Sequence, residues 1–351
     1  MSDSDIKSFV YQIERGQWEK ALSIGQFQKV EVTQTFQRPH SVLARCKVIG
    51  SQGTAGVYVK RYIPNFPANR NSSPEALRKS VERDFQTHLY WFERFKHKNG
   101  FCVVEPLFSL PENHIIVTRE VSGQRLYDLL TRAVKWGASK NLQKKLENDF
   151  FHIGGWLKAL QSFEETEPPE SNYSVDELIA YINIRLKKLT GDPRRHFPVK
   201  YRDRILHFLE STKPAIPESE LRVCFTHSDF SPGNIMVHSD GRITVLDFNK
   251  VQKDSYLLDL SRLYHQTGLW SFKPFTTTGP IARFRKKLLE GFAHPAVDKS
   301  LLFRFFLIRH TLTHLVTVTR FWRVNPIEKG YNFWVLHKEL QLLDQLLTPP
   351  G

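Results

Sequence analysis

The fold of this chain is decided by residues 224–263, which read CFTHSDFSPGNIMVHSDGRITVLDFNKVQKDSYLLDLSRL. The segment contains an H-x-D sequence at 227–229, and Asn234 follows five residues after that aspartate. Two β-rich runs come next, residues 235–237 and 242–246, separated by a Ser-Asp-Gly sequence that favours a tight turn. The pattern predicts a short β-hairpin directly after the H-x-D sequence.

The predicted hairpin would bring three oxygen-bearing side chains into one region. Asn234 begins its first strand and Asp247 follows its second, so we expect the two to converge, with Asp229 just upstream. Two such oxygen ligands beside a separate carboxylate suit Mg²⁺, which takes a few protein oxygens and keeps its other positions for water and phosphate. The segment therefore predicts a magnesium site with Asn234 and Asp247 as ligands.

The order of these residues resembles the catalytic core of the protein-kinase-like superfamily, in which H-x-D-x-x-x-x-N precedes a strand and D-F. Two further segments, SPGNI at 231–235 and DSYLLDL at 254–260, are similar to segments of its small-molecule branch, the aminoglycoside phosphotransferase-like kinases. The lipopolysaccharide-core sugar kinases share this architecture. The resemblance implies an α+β, bilobal fold with a small antiparallel-sheet N-lobe and a larger, mainly helical C-lobe.

The rest of the chain divides on the same resemblance. Residues 1–120 form the expected N-lobe, with an N-terminal helix and a five-stranded sheet. Apolar spacing and alternation place its elements at 3–22 (helix), 30–36, 41–49 and 56–62 (strands), 74–98 (helix), and 102–108 and 114–119 (strands). Residues 121–351 form the expected C-lobe, with the catalytic loop and C-terminal helices on the substrate side.

The resemblance also implies roles for the residues of the loop. Asp229 is expected to be the catalytic residue that accepts or orients the proton of an acceptor hydroxyl. His227 is expected to support the loop backbone, and Asp259 to be a structural carboxylate buried behind the loop. Ser231 stands where related kinases place a lysine or a histidine, so we expect little charge stabilisation of the transition state from that position.

Residues upstream are expected to bind the nucleotide: Lys60, Glu82, Ser41, Glu120 and Val121. Lys60 is the last residue of a Val-Tyr-Val-Lys sequence within the third strand, which resembles the V-A-I-K strand whose lysine reaches the phosphates. Glu82 on the next helix is predicted to hold Lys60, with Asp84 as the alternative. No Gly-rich loop joins the first two strands, so backbone N–H groups and the Ser41 hydroxyl would cover the phosphates. Glu120 and Val121 lie at the predicted hinge, where their backbone would meet the adenine of ATP.

Composition limits the partners of the protein. The formal charge of +14 favours an anionic partner and disfavours a polycationic substrate, whose pocket needs carboxylates. Over residues 281–323, basic residues are interleaved with aromatic ones. This pattern is typical of core packing, and a peripheral contact with an anionic membrane is the alternative interpretation. The N-terminus does not resemble a signal peptide, and no uncharged apolar run is long enough to span a bilayer, so we expect a cytoplasmic protein.

The functional prediction is an ATP- and Mg²⁺-dependent kinase that phosphorylates a hydroxyl of a small molecule, with a neutral or anionic sugar or lipid-linked glycan as acceptor. Three alternatives stay open: an aminoglycoside or amino-alcohol kinase, an inactive kinase fold that serves as a binding protein, and a nucleic-acid-binding protein. The last is supported by charge alone, since no nucleic-acid-binding motif is present. A pair of helix-spaced histidines, His310 and His314, is read as two helix-face side chains in preference to a metal site.

Overall fold

The structure is a computed structural model, and it describes residues 3–38, 41–63, 73–164 and 172–348. Its internal contacts divide the chain into two compact units. Unit 1 comprises residues 1–124 and 236–250, and unit 2 comprises residues 125–235 and 251–351. Pro39 and His40, which stand between the first two predicted strands, lie outside the described residues.

The strands follow in chain order as β1 (Phe27–Gln37), β2 (Ser41–Gly50), β3 (Gly53–Tyr62), β4 (Phe101–Val103), β5 (Pro106–Leu110), β6 (Ile115–Arg119), β7 (Gln124–Arg125), β8 (Val223–Thr226), β9 (Ile235–Val237), β10 (Ile243–Val245) and β11 (Gln252–Ser255).

The α-helices are α1 (Asp3–Gln12), α2 (Arg15–Ala21), α3 (Pro74–Phe95), α4 (Leu126–Ala133), α5 (Lys140–Gln161), α6 (Val175–Thr190), α7 (Lys200–Thr212), α8 (Leu258–Leu269), α9 (Thr278–Gly291), α10 (Leu301–Val318) and α11 (Pro326–Leu346). A strand-rich beginning and a mainly helical remainder confirm the predicted α+β class.

Unit 1 is built on an antiparallel sheet with the strand order β1-β2-β3-β6-β5. Alternation along β3 sorts its side chains between the two faces of this sheet. Val57 and Val59 are fully buried in a core that also contains Trp18 of α2. Lys60 and Tyr62 point to the opposite face, where Tyr62 packs with Val81 of α3. The lysine predicted for nucleotide binding therefore stands on the α3 side of the sheet.

Two predicted elements of unit 1 are divided in the structure. The helix expected over residues 3–22 is two helices, α1 and α2, separated at Ile13 and Glu14, where Ile13 N–H bonds to Val10 O (3.3 Å). The strand expected over residues 102–108 is also two, because β4 leaves the antiparallel sheet and pairs in parallel with β10. The chain turns before Pro106, and β5 then joins the antiparallel sheet.

The hairpin predicted from the sequence is present, since β9 and β10 are neighbours in a sheet of order β4-β10-β9-β7. Gly241 supplies the positive φ (85°) that its turn requires. Pairing of Phe101 with Ile243 fixes residues 236–250 in unit 1. The boundary predicted at residue 120 assigned this segment to the C-lobe. In the structure it belongs to unit 1, because β10 pairs with β4.

Unit 2 is held together by helices in close contact. Phe150 of α5 and Phe284 of α9 stack with ring centroids 5.3 Å apart. The two helices approach so closely at Gly154 that a Cβ there would lie 2.2 Å from Leu288 O. Unit 2 also contains a short antiparallel ladder of β8 and β11, the strands that precede and follow the hairpin in the chain. The glycine therefore serves the packing of α5 against α9.

One helix of unit 2 is also long and apolar enough to cross a membrane by length and composition alone. It is α10, whose eighteen residues have a mean hydropathy of 1.3. More than half of the helix is buried within the protein, with Phe303, Phe305 and Phe306 fully inaccessible. Arg304 and Arg309 interrupt its apolar sequence, which is why no uncharged run was found there. A core helix meets the same criterion, so the finding is weak evidence for a membrane span.

Candidate active site

In unit 1, Lys60 and Asp247 form an ion pair. Lys60 Nζ lies 3.0 Å from Asp247 Oδ1, and both side chains are less than two-fifths exposed. Burial acts to lower the pKa of Lys60, but the Asp247 carboxylate and the Tyr62 hydroxyl outweigh it and hold the pKa above its usual value. The ammonium group is therefore charged. Two residues that the sequence assigned separately, one to phosphates and one to a metal, are in direct contact.

The predicted tether of Lys60 by Glu82 is wrong for this structure. Glu82 ion-pairs instead with Arg78, one helical turn earlier, at 3.0 Å. Asp84, the alternative, lies on the buried face of α3 and accepts a hydrogen bond from Tyr62 Oη. Burial raises the pKa of Asp84, while the Tyr62 hydrogen bond and the charge of Lys60 oppose that rise. The acidic residue of α3 that acts on Lys60 is thus Asp84.

A histidine of α3 fixes the backbone beside Asp247. The Phe248 N–H donates to His88 Nε2 at 3.1 Å, and the other ring nitrogen, Nδ1, bonds to Asp84 O at 2.8 Å. Burial lowers the pKa of His88, so its ring is neutral and Nε2 is the acceptor. Asp247 itself has a positive φ of 64°, which is uncommon for a residue with a side chain. The hydrogen bond to His88 helps to hold that conformation.

The other predicted nucleotide residues also lie in unit 1. Ser41 begins β2 and is buried. Glu120 follows β6, and its carboxylate ion-pairs with Arg45 at 2.6 Å. The Glu120 N–H donates to Gly56 O (2.9 Å), so it is engaged within the sheet. The Glu120 N–H is therefore not available to adenine. The backbone groups still proposed to bind adenine are the Glu120 carbonyl and the N–H and carbonyl of Val121.

In unit 2, a buried carboxylate organises the loop that carries Asp229. Asp259 is inaccessible to solvent, and its two oxygens accept hydrogen bonds from the N–H groups of His227 (2.5 Å) and Ser228 (3.0 Å). Burial raises the pKa of Asp259 to about 7, against the opposing effect of these two N–H groups and of Arg262. Ser228 has a positive φ of 60°, and Asp259 binds the N–H of that residue. Asp259 thus supports the loop backbone, and the His227 side chain also contacts it, since the Asp229 N–H donates to His227 Nδ1 at 3.3 Å.

Asp229 and Asn234 lie together on this loop. Arg262 Nη2 is 2.5 Å from Asp229 Oδ1, so the carboxylate is paired with a cation. Asn234 Nδ2 donates to Asp229 O (3.0 Å), an arrangement that uses the amide nitrogen and turns the amide oxygen to other partners. Asp229 and Asn234 belong to unit 2, whereas Asp247 belongs to unit 1. The expected convergence of Asn234 and Asp247 stays a prediction.

Sequence reasoning missed two residues of these clusters, His88 and Arg262, and it preferred Glu82 to Asp84 as the partner of Lys60. The signal for the α3 residues was present, because Leu77, Val81, Asp84, His88, Trp91 and Phe95 repeat every three or four positions and form one buried face. Arg262 follows Asp259 by three residues on α8, which places both on one helix face. Only its distance from Asp229 in the chain concealed the ion pair.

The histidines weighed as a metal pair contact polar side chains. His310 Nε2 lies 3.0 Å from Ser261 Oγ, and His314 Nδ1 lies 3.0 Å from Glu339 Oε1. Within the described ranges, no group of three or more His, Cys, Asp or Glu side chains is arranged to hold a metal ion. A magnesium site with one amide and one carboxylate as its protein ligands has fewer than three such side chains, so this finding does not test it.

Solved structures similar to this chain share its fold at low sequence identity. The aminoglycoside phosphotransferase APH(2'')-Ib with bound ADP is 13% identical, with a TM-score of 0.55 over 99% of this chain and 100% of that one. Choline kinase from Cryptosporidium parvum Iowa II is 11% identical, with a TM-score of 0.54 over 99% and 98%. Amicoumacin kinase hAmiN, in a complex with AMP-PNP and Ca²⁺, is 16% identical, with a TM-score of 0.51 over 100% and 98%.

A comparison with curated proteins finds no match. A family model, described as the phosphotransferase enzyme family, matches residues 118–298, which is just over half of the chain. The matched region contains the loop of Asp229, the hairpin, Asp247 and Asp259. The kinase-like fold expected from the sequence is confirmed, and the chain belongs to the phosphotransferase enzyme family.

Proposed function

We propose that the protein transfers the terminal phosphoryl group of ATP to a hydroxyl of a small, neutral or anionic, sugar-like acceptor. The observation that carries the proposal is the 3.0 Å contact of Lys60 with Asp247. A charged lysine beside a carboxylate is the arrangement needed where nucleotide phosphates and their metal ion are held together. Here Lys60 stands on the sheet face that also carries Tyr62 and faces α3.

The two expected ligands carry donor atoms of the kind that Mg²⁺ prefers. Asp247 offers a carboxylate, and Asn234 offers an amide oxygen because its nitrogen is bonded to Asp229 O. Hard oxygen donors of this kind, few in number, suit an ion that keeps several positions for water and phosphate. Bound there, Mg²⁺ would neutralise charge that develops on the phosphates during transfer. Lys60 would bind the same phosphates, and the Phe248–His88 hydrogen bond would keep the Asp247 backbone in place.

Asp229 would orient the acceptor hydroxyl and take its proton. Asp259 fixes the loop by binding two consecutive N–H groups before Asp229, so little reorganisation is needed when the acceptor arrives. Arg262 has a further role in this proposal. It supplies, 2.5 Å from Asp229, the cation that the loop lacks at Ser231, and it can offset negative charge on the transferred group.

The acceptor class rests on charge. Choline, the substrate named for one of the similar structures, is a cation, and pockets for cations need carboxylates. This chain carries fifty Lys and Arg against thirty-six Asp and Glu. Its catalytic aspartate is already paired with Arg262, which leaves less negative charge for a cationic acceptor. A neutral or anionic acceptor is therefore the better match.

The test is nucleotide affinity by calorimetry, with and without Mg²⁺, for the wild type, Asp247→Ala and Asp229→Asn. We expect Mg²⁺-dependent binding that Asp247→Ala abolishes and Asp229→Asn preserves, because of these two aspartates only Asp247 is assigned to the metal. ATP turnover should be lost in both variants. Asp203→Ala, which removes an exposed carboxylate of α7, is the control and should behave as the wild type. Equal loss of nucleotide affinity in the two active-site variants, or no binding by the wild type, would refute the assignment.

A further inference from the structure

A cavity of about 220 Å³ lies in unit 2, between α8, α9 and α11. Its polar lining consists of His265, Ser271, Arg285, Lys338, Gln341 and Gln345, and its remaining lining residues are apolar or glycine. No aspartate or glutamate is among these lining residues. Glu339, which contacts His265, is fully buried and does not line the cavity. The cavity therefore carries two cationic side chains and no carboxylate to neutralise them.

Arg285 is the central cation of this cavity. Its Nε donates to Tyr264 O at 2.9 Å, and its guanidinium lies 4.3 Å from the centroid of the Tyr264 ring, so the group is held in a fixed position. Among the described residues, no carboxylate lies within ion-pair distance of it. Burial accordingly lowers the pKa of Arg285. The guanidinium also depends on Gly268, where an added Cβ would come within 1.6 Å of Arg285 Nη2.

Lys338 adds a second charge from α11. Its ammonium donates to Gln341 Oε1 at 3.3 Å and lies 4.6 Å from the centroid of the Trp334 ring, again with no carboxylate in ion-pair distance among the described side chains. Two cations and several amide or hydroxyl groups around one small cavity suit an anion with several acceptor oxygens. Phosphate and carboxylate groups have that chemistry.

The position of the cavity connects it with Asp229. Arg262, His265 and Leu269 are spaced at i, i+3 and i+7 on α8 and so share one face of that helix. Arg262 pairs with Asp229, and His265 and Leu269 line the cavity. With a rise of 1.5 Å per residue, His265 and Leu269 lie roughly 5–10 Å along the helix axis from Arg262, the partner of Asp229. A single small molecule can reach over that distance.

We propose that this cavity binds an anionic group, phosphate or carboxylate, of the molecule whose hydroxyl is phosphorylated. The proposal rests on the function proposed above and narrows the acceptor to an anionic one, such as a phosphorylated sugar. In this assignment Arg285 and Lys338 select the acceptor by charge, and Gln341, Gln345 and Ser271 supply further hydrogen bonds.

The test is the affinity of the full-length protein for inorganic phosphate, measured by calorimetry at saturating Mg–ADP to keep phosphate away from Lys60. Arg285→Gln should weaken this affinity roughly 10- to 100-fold, as expected for loss of a charge-assisted contact. Lys338→Gln is the second variant, because this side chain is only partly buried and glutamine keeps most of its length. Lys286→Gln is its matched control, an exposed lysine outside the cavity, and should leave the affinity unchanged. Phosphate binding that neither cavity variant weakens, or no binding at all, would overturn the site.

A second titration distinguishes an anion carried by the acceptor from free phosphate. A hexose 6-phosphate should bind the wild type more tightly than inorganic phosphate does, and Arg285→Gln should weaken both. A sugar phosphate that binds no better than phosphate would overturn the acceptor assignment. Failure of the proposed function has a different signature. Nucleotide would then fail to bind, while the response of phosphate affinity to Arg285 and Lys338 would be unaffected.

Discussion

His88 offers a sharp test of how unit 1 positions Asp247. Leucine would fill the buried position of His88 with an apolar side chain, but it would remove the acceptor of the Phe248 N–H. Phe248 is itself fully buried. An unsatisfied buried N–H group costs about 1–3 kcal/mol. We expect His88→Leu to lower the free energy of unfolding by about 2 kcal/mol at pH 7.5. His88→Gln, whose amide oxygen can occupy the place of Nε2, should lose less than half as much.

The pH dependence gives this prediction a second readout. Burial lowers the pKa of His88 from 6.5, so the folded protein binds fewer protons than the unfolded chain below that pH. Stability from the neutral ring is therefore present above about pH 6.5 and lost as the pH falls, with a slope of up to about 1.4 kcal/mol per pH unit. Between pH 7.5 and 5.5 the wild type should lose about 1.4 kcal/mol that His88→Leu does not lose. The gap between the two proteins should narrow by that amount.

Urea denaturation at both pH values measures these differences, because the shift in the unfolding midpoint gives the change in free energy. His97→Leu, at an exposed histidine just beyond α3, is the control and should change stability by less than about 0.5 kcal/mol. Equal losses for His88→Leu and His88→Gln would refute the role of the hydrogen bond. A gap that is the same at both pH values would refute the neutral, buried ring.

Two further substitutions test packing and charge. Gly154→Ala would place a Cβ 2.2 Å from Leu288 O, so α5 and α9 must separate. We expect the free energy of unfolding, measured by urea denaturation, to fall by roughly 2–4 kcal/mol. A decrease below 1 kcal/mol would contradict the close approach of the two helices. Asp84→Asn should weaken Mg–ATP binding, measured by calorimetry, more than Glu82→Gln does. The reason is that Asp84 contacts Tyr62 and acts on Lys60, whereas Glu82 pairs with Arg78. The reverse order of affinities would restore Glu82 as the partner of the lysine.

Sequence was sufficient where the determinants were local. The hairpin of β9 and β10 follows from a turn sequence between two β-rich runs, and the face of Lys60 follows from alternation along β3. The supporting role of Asp259 was expected from the family resemblance. In the structure, Asp259 accepts two hydrogen bonds from the backbone of the loop.

Sequence was insufficient where a long-range contact decided between local alternatives. Glu82 and Asp84 are both acidic residues of α3, and only the position of the sheet shows which one faces Lys60. The strand predicted over residues 102–108 has a continuous β-rich pattern, yet its first half pairs with β10 and its second half with β6. The cavity of Arg285 and Lys338 could not be foreseen, because its residues come from three helices that are separate in the chain.

The pairing of Phe101 with Ile243 has a consequence for how the protein is made. A ribosome has to synthesise residues 125–235, all of unit 2 up to that point, before the strand that completes unit 1 emerges. At roughly 5–20 residues per second this delay is on the order of 10 s. Throughout that time β4 is without β10, its neighbour in the sheet, and Trp91 lacks Phe248. Unit 1 is first in sequence but cannot be the first unit to complete its fold.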